Sequence, residues 1–248
     1  MEAVVWQGSG EAWPGTSWAD PVHRLLVRLG WRVTLVPWGA TGAEHRGRAG
    51  VLHVFSGGEE PVGSGSAAML DRLAAVAAAL GTAQQDGCAV VGICLGAQMI
   101  AAAGAGLPPR PVAGGGEAGL TTVRGAEPGV RDLVVATAHV AEVPEEILAV
   151  PGVRHLWSNP VTTVQGFGWG ERVVGVQFHP ELSAEEGRRA ALSFRQGFAA
   201  PPVDAPDQAV DPRRTLQTIL RAAGAHRLVA DRERRETPEV AAAPAVRG

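Results

Sequence analysis

The chain has no lysine and no tyrosine, only two cysteines, and no apolar run long enough to span a bilayer. All 22 of its basic residues are therefore arginine, and 25 acidic residues leave a net charge of −3. That balance supplies no basic surface, so nucleic acid is not expected as a partner. The two cysteines, Cys88 and Cys94, flank one predicted strand, and opposite ends of a strand are too far apart for a disulfide. Residues 1–7 run straight into a strand, with no charged segment followed by an apolar one. A cytoplasmic protein, free of membrane and disulfides, is the expectation. His23, His45, His53, His155 and His226 have no metal-ligand spacing. The glycines at 57–58 are followed by Glu59 and Glu60 rather than the Lys-Ser/Thr of a phosphate loop. Neither metal nor cofactor is expected.

A chain of 248 residues holds one α/β domain with a sizeable core, plus an appendage. Through residue 105 the pattern alternates. Strands are predicted at 3–7, 31–38, 51–55 and 90–93. Helices are predicted at 17–29, ending at Gly30, and at 66–80. The second helix is capped by Ser66, ends at Gly81 and has Met69, Leu70, Leu73 and Val76 on its apolar face. Such alternation implies a doubly wound, mostly parallel sheet whose ligands bind beyond the carboxyl ends of the strands. After the Pro/Gly-rich stretch 107–116 the strands shorten, at 120–124, 133–137, 154–157, 163–167 and 172–178. This half reads as antiparallel and is closed by a helix at 184–198. Residues 1–200 are taken as the domain. Residues 201–212 read as a linker and 213–223 as a short helix. The charged, then Ala/Pro-rich tail from 231 is expected to be disordered. There are no internal repeats.

Two segments carry chemistry. In Val90-Val91-Gly92-Ile93-Cys94-Leu95-Gly96-Ala97-Gln98, an apolar strand meets a G-x-C-x-G turn and then a small-residue helix. That is the pattern of a nucleophile elbow with Cys in the Ser position. The helix start favours thiolate over thiol; the alternative is a small buried hydrophobe. In Val173-Val174-Gly175-Val176-Gln177-Phe178-His179-Pro180-Glu181, residues two apart point to the same side, so Glu181 can orient the His179 ring. Pro180 holds His179 extended. Thiol, imidazole and orienting carboxylate form a generalised triad of Cys94, His179 and Glu181.

These residues resemble the class I (triad-type) glutamine amidotransferases over roughly residues 1–200. Phe55-Ser56-Gly57-Gly58 resembles the family's S-G-G loop, and Glu117-Ala118-Gly119 its E-x-G segment. The resemblance implies a flavodoxin-like α/β fold and glutamine hydrolysis through a γ-glutamyl thioester. Leu95, the residue after the elbow cysteine, is a candidate oxyanion donor; the resemblance suggests Gly58, in the Gly57-Gly58 turn, as the other. It also implies that Gln98, one helical turn beyond Cys94, contacts the substrate. The turn at His139-Val140-Ala141 falls where the family grips the glutamine α-substituents. Val140 and Ala141 have no polar side chain, so this grip would be through backbone. Glu59 stands where many relatives have Pro.

Three functions follow. The first is an amidotransferase subunit that passes ammonia to a separate acceptor enzyme, since residues 201–248 are too few for a synthetase domain. The second is a free-standing hydrolase of another γ-glutamyl amide. The third is a non-catalytic interaction module, against which the intact Cys94, His179 and Glu181 argue.

Overall fold

The computed structural model describes residues 1–85, 87–198, 202–203 and 210–228. Its first half contains β1 (Glu2–Trp6), β2 (Glu11–Trp13), β3 (Thr16–Ser17), α1 (Asp20–Arg28), β4 (Arg32–Val36), β5 (Leu52–Phe55), α2 (Ala67–Ala83), β6 (Ala89–Ile93) and α3 (Leu95–Ala105). The second half has β7 (Arg110–Pro111), β8 (Glu117–Gly125), β9 (Leu133–His139), β10 (Ala141–Glu142), β11 (Val153–Ser158), β12 (Gly166–Trp169) and β13 (Val173–Val176). It closes with α4 (Ala184–Gly197), β14 (Pro202–Val203) and α5 (Pro212–Ala222).

A ten-stranded sheet runs β14-β8-β11-β12-β13-β6-β5-β1-β4, with β9 also paired to β8. The strands from β13 to β4 are mutually parallel. Beyond β13, the pairings β13–β12, β12–β11, β11–β8 and β8–β9 are antiparallel. The fold is thus mixed α/β, its sheet parallel in the first half and mostly antiparallel in the second, where only β14 joins β8 in parallel.

The period of two decides how the parallel half is covered. Ala3, Val5, Leu52, Val54, Val91 and Ile93 pack with Val22 and Leu26 of α1 and with Leu216, Ile219 and Leu220 of α5. Val4, Trp6 and Val90 join Met69, Val76 and Leu80 of α2 and Met99 and Ile100 of α3 in a second cluster. With both faces covered, these strands read as unbroken apolar runs. Each large side chain so buried stabilises the fold by roughly 1.5–3 kcal/mol. The short helix expected near 213 forms as α5, with the Asp211 carboxylate accepting from the Arg214 N–H at 3.0 Å.

Several expectations change in detail. The first helix begins at Asp20 rather than at 17. The Asp20 carboxylate accepts from the Ser17 N–H at 2.7 Å, and Thr16–Ser17 pairs with β2 in a hairpin that the pattern did not predict. α2 continues through Gly81 to Ala83, although Ser66 caps it as expected by accepting from the Met69 N–H. Leu70 is 58% exposed, and Arg72 is buried in place of an apolar side chain. Its guanidinium lies 5.1 Å from the Trp6 ring and 5.6 Å from the Trp38 ring, and donates to the Pro37 carbonyl at 2.8 Å. Two aromatic faces and a carbonyl replace the water that the cation loses. The tail from 231, expected to be disordered, lies outside the described residues.

Helix α3 lies against β5 so closely that a Cβ on Gly96 would sit 2.1 Å from the Phe55 carbonyl oxygen. Gly96→Ala is expected to destabilise the protein by about 1–3 kcal/mol, the range for forced overpacking. Urea unfolding with an unchanged m-value checks this, and a wild-type midpoint would contradict the packing.

Candidate active site

Parallel pairing of β6 with β13 places Ile93 beside Val176 and carries both strands out at the same sheet edge. The Cys94 N–H donates to the Val176 carbonyl at 2.7 Å, so the elbow starts level with the segment that leads to His179. Cys94 has φ 51° and ψ −108°, the only positive φ on a non-glycine residue among those described. Such a conformation costs of order 1–3 kcal/mol and persists only where the surroundings impose it. The sulfur lies 3.8 Å from the Ala138 carbonyl oxygen and borders a cavity of about 560 Å³.

His179 is buried. Its N–H donates to the Ala136 carbonyl of β9 at 2.8 Å, and its Nδ1 lies 2.8 Å from Glu181 Oε1. The expected dyad therefore forms. Burial alone would lower the His179 pKa. The adjoining Glu181 carboxylate outweighs it, and with Cys94 raises the pKa to about 10. Nε2 is buried without a hydrogen bond of good geometry. Cys94 is the ionisable group that acts on it besides Glu181.

Two further residues clamp this ring. Trp18 stacks on it, with centroids 4.6 Å apart and planes 27° from parallel. A Cβ on Gly57 would lie 2.7 Å from His179 Cε1, so glycine is what lets the loop after β5 close on the imidazole. That loop is rich in Gly and Ser yet is tied down at several points. In the structure Ser9 Oγ accepts from the Glu59 and Glu60 N–H groups at 3.1 and 2.6 Å. Val62 is buried, and the Glu60 carboxylate accepts from the Ser64 and Ser66 hydroxyls. Burial raises the Glu59 pKa, while the nearby Trp18 indole N–H opposes that rise.

Gly58, Leu95, Gln98, His139 and Val140 all border the cavity with Cys94. Leu95 is the first residue of α3, where backbone N–H groups have no helical partner. A Cβ on Gly58 would lie 2.7 Å from the Leu95 side chain, so the two candidate oxyanion donors are neighbours. The Gln98 side-chain amide donates to the Ala141 carbonyl at 3.0 Å, and that of Gln177 does the same. Both motif glutamines thus hold the turn that follows His139. Gln177 was not singled out from the sequence, although its two-residue offset from His179 places it on the same side.

Behind this turn, fully buried Glu117 receives the Asn159 side-chain amide at 2.9 Å and the Gln165 amide, with His139 Nε2 at 3.1 Å. Charge-assisted hydrogen bonds of this kind stabilise a carboxylate held away from water. Asn159, Gln165 and Trp18 carry no signal in the sequence that singles them out.

Cys88 is buried away from the cavity; its sulfur lies 3.3 Å from the Ala79 carbonyl oxygen, and burial pushes the thiol up to about 12. Among the described residues no group of His, Cys, Asp and Glu is arranged to hold a metal ion. No helix among them is long and apolar enough to cross a membrane.

The family pattern described as glutamine amidotransferase class-I matches residues 15–196. No curated protein matches the chain. Among solved structures it is similar to a putative GMP synthase subunit from Thermoplasma acidophilum. That similarity has 25% identity and a TM-score of 0.58, and covers 78% of this chain and 92% of the other. A glutamine amidotransferase from Thermotoga maritima shares the fold at 18% identity and a TM-score of 0.59, with 94% and 97% covered. The glutaminase domain of Trypanosoma brucei CTPS, with bound acivicin, shares it at 15% identity and a TM-score of 0.52, with 86% and 99% covered.

The two cysteines are expected to differ sharply in reactivity. Iodoacetamide at neutral pH should modify Cys94 in the native protein and leave Cys88 untouched, because thiolate character and access govern alkylation. Peptide mass spectrometry checks this, and faster labelling of Cys88 would contradict the site geometry.

Proposed function

Because the chain belongs to the class-I glutamine amidotransferase family, we propose that it releases ammonia from glutamine through Cys94, His179 and Glu181. The observation that carries this reading is the buried His179–Glu181 pair at 2.8 Å, set level with a strained Cys94 on the wall of a cavity. The Cys94 thiolate attacks the side-chain amide carbon of glutamine. The Leu95 and Gly58 N–H groups receive the charge that develops on the amide oxygen. His179, as an imidazolium, gives its proton to the departing ammonia and leaves a γ-glutamyl thioester on Cys94. Neutral His179 then takes a proton from water, whose oxygen attacks the thioester and releases glutamate. Glu181 stays ionised and holds the ring.

The ammonia goes to a separate acceptor enzyme in this reading. Support comes from the 25% identical structure, which is described as a synthase subunit. The protein acts in the cytoplasm and needs no cofactor for this chemistry.

A specific observation favours a second reading. The 560 Å³ cavity extends past Cys94 to Val112, Phe194 and Phe198. Its volume falls in the range of pockets that hold drug-sized ligands. An apolar N-substituent on a γ-glutamyl amide would fit there, with water as the acceptor.

Two experiments test these readings. Cys94→Ser and His179→Ala should each reduce turnover to background while Cys88→Ser keeps wild-type activity. Glu181→Gln should lose about 10⁴-fold in kcat yet retain more than His179→Ala, as an orienting residue does. Equal, complete loss in both would assign Glu181 a direct role on the substrate. Steady-state kinetics on glutamine and a panel of γ-glutamyl amides, without a partner, separates the two functions. The amidotransferase reading expects glutamine to be the best substrate, with kcat rising when a synthetase-type partner is added. High kcat/KM on one bulky amide with negligible glutamine turnover would replace it with the hydrolase.

A further inference from the structure

The triad accounts for Cys94, His179 and Glu181, and leaves unexplained why an indole lies across the catalytic imidazole. Trp18 stands between the β2–β3 hairpin and α1, and its ring is buried. Ala12, Trp13 and Trp18 share an apolar cluster with Ala190, Ala191 and Phe194 of α4. The Arg189 guanidinium caps the Trp13 ring at 5.4 Å. The hairpin is thereby fixed to the helix that follows Glu181. At its other edge the Trp18 indole N–H is buried and has the Glu59 carboxylate as its polar neighbour.

We propose that Trp18 is a positioning residue for this reaction. Its indole face holds the His179 ring in the plane that aims Nε2 at Cys94, and stabilises the imidazolium by cation–π attraction.

Geometry supports both parts. The ring centroids are 4.6 Å apart, inside the 6 Å reach of cation–π attraction, and the site is desolvated, where that attraction is strongest. A Cβ on Gly57 would lie 2.7 Å from His179 Cε1 and 3.5 Å from Trp18 Cε3, so the Gly57 backbone closes the rim where the two rings meet. The imidazole edge is held by Glu181. Rotation about the Cβ–Cγ bond would drive the ring into the indole or into the Gly57 backbone.

Among the described residues, the charged groups around His179 are few. Glu181 follows it in the chain, and Cys94 faces it from the elbow. Glu59 lies behind the indole, with Glu11 of β2 acting on Glu59 in turn. Strand β9, which pairs with the His179 backbone, carries no ionisable side chain before His139, and His139 is engaged by Glu117. The indole is the nonionic contribution to the imidazolium in this shell, and the inference rests on the triad reading.

The sign of its effect is fixed. The folded His179 pKa is raised, so the imidazolium persists at neutral pH and is lost as pH rises through about 10. Losing the π face without admitting water should move that loss to lower pH. Leucine keeps the apolar cover and removes the π system, whereas phenylalanine keeps a smaller π face.

The test is the pH dependence of Cys94 alkylation by iodoacetate in a Cys88→Ser background, where no turnover is needed. The anionic reagent is drawn by the imidazolium, so its rate falls as His179 loses its proton. Trp18→Leu should shift that alkaline limb down by about one pH unit, and Trp18→Phe by less. Glu59→Gln, which keeps an acceptor for the indole, should shift it little. Circular dichroism at each pH confirms that the variants are folded, and Trp18→Phe serves if Trp18→Leu is not. An unchanged limb in a folded Trp18→Leu, or equal shifts in the Leu and Phe variants, overturns the proposal. His179→Ala separates the two claims. If it leaves the limb in place, the triad reading fails; if it removes the limb while Trp18→Leu does not, only the role of Trp18 fails.

Discussion

The site depends on the parallel pairing of β6 with β13. Cys94 and His179 lie far apart in the chain, and no local preference brings them together. The register of these strands does, by setting Ile93 beside Val176 and letting the Cys94 N–H close on the Val176 carbonyl. Because side chains alternate along a strand, a slip of one residue would turn His179 to the opposite face. That register is held by burial on both faces, where Val91 and Ile93 meet one helical layer and Val90 the other. The candidate site therefore draws on the whole core for its geometry.

Strain and close approach then refine what the register supplies. Cys94 is forced into a conformation that a non-glycine residue avoids, and the surrounding helix and strands hold it there. Gly57 and Gly96 allow backbone to come nearer to a neighbour than any side chain would permit. Around the cavity, Gln98 and Gln177 fix one turn from two sides, and the Glu117 network fixes it from behind. A satisfied polar network of this kind rigidifies what it touches. A pocket wall made of backbone, as at Val140 and Ala141, needs such support because it has no polar side chains of its own.

The sequence made the parallel half readable because strands buried on both faces are written as apolar runs, and turns as Gly and Pro. It also made Cys94, His179 and Glu181 readable, since the elbow and the two-residue spacing are local patterns. What it concealed is long-range. Arg72 takes a core position on α2 because Trp6 and Trp38, distant in sequence, receive its guanidinium. Trp18 reaches His179 only because the β2–β3 hairpin folds over α4, and a three-residue strand beside glycines leaves almost no periodic trace. The loop after β5 is rich in Gly and Ser, and Ser9 pins it through backbone N–H groups that no composition reveals.

If Cys94 is the nucleophile, it carries the γ-glutamyl group during turnover. Acid-quenching the Cys88→Ser protein during steady-state reaction with glutamine, followed by peptide mass spectrometry, tests it most directly. The expected result is a γ-glutamyl increment on the Cys94 peptide that disappears when substrate is exhausted. Active turnover with no adduct on Cys94 at any time, under conditions that preserve thioesters, would contradict it.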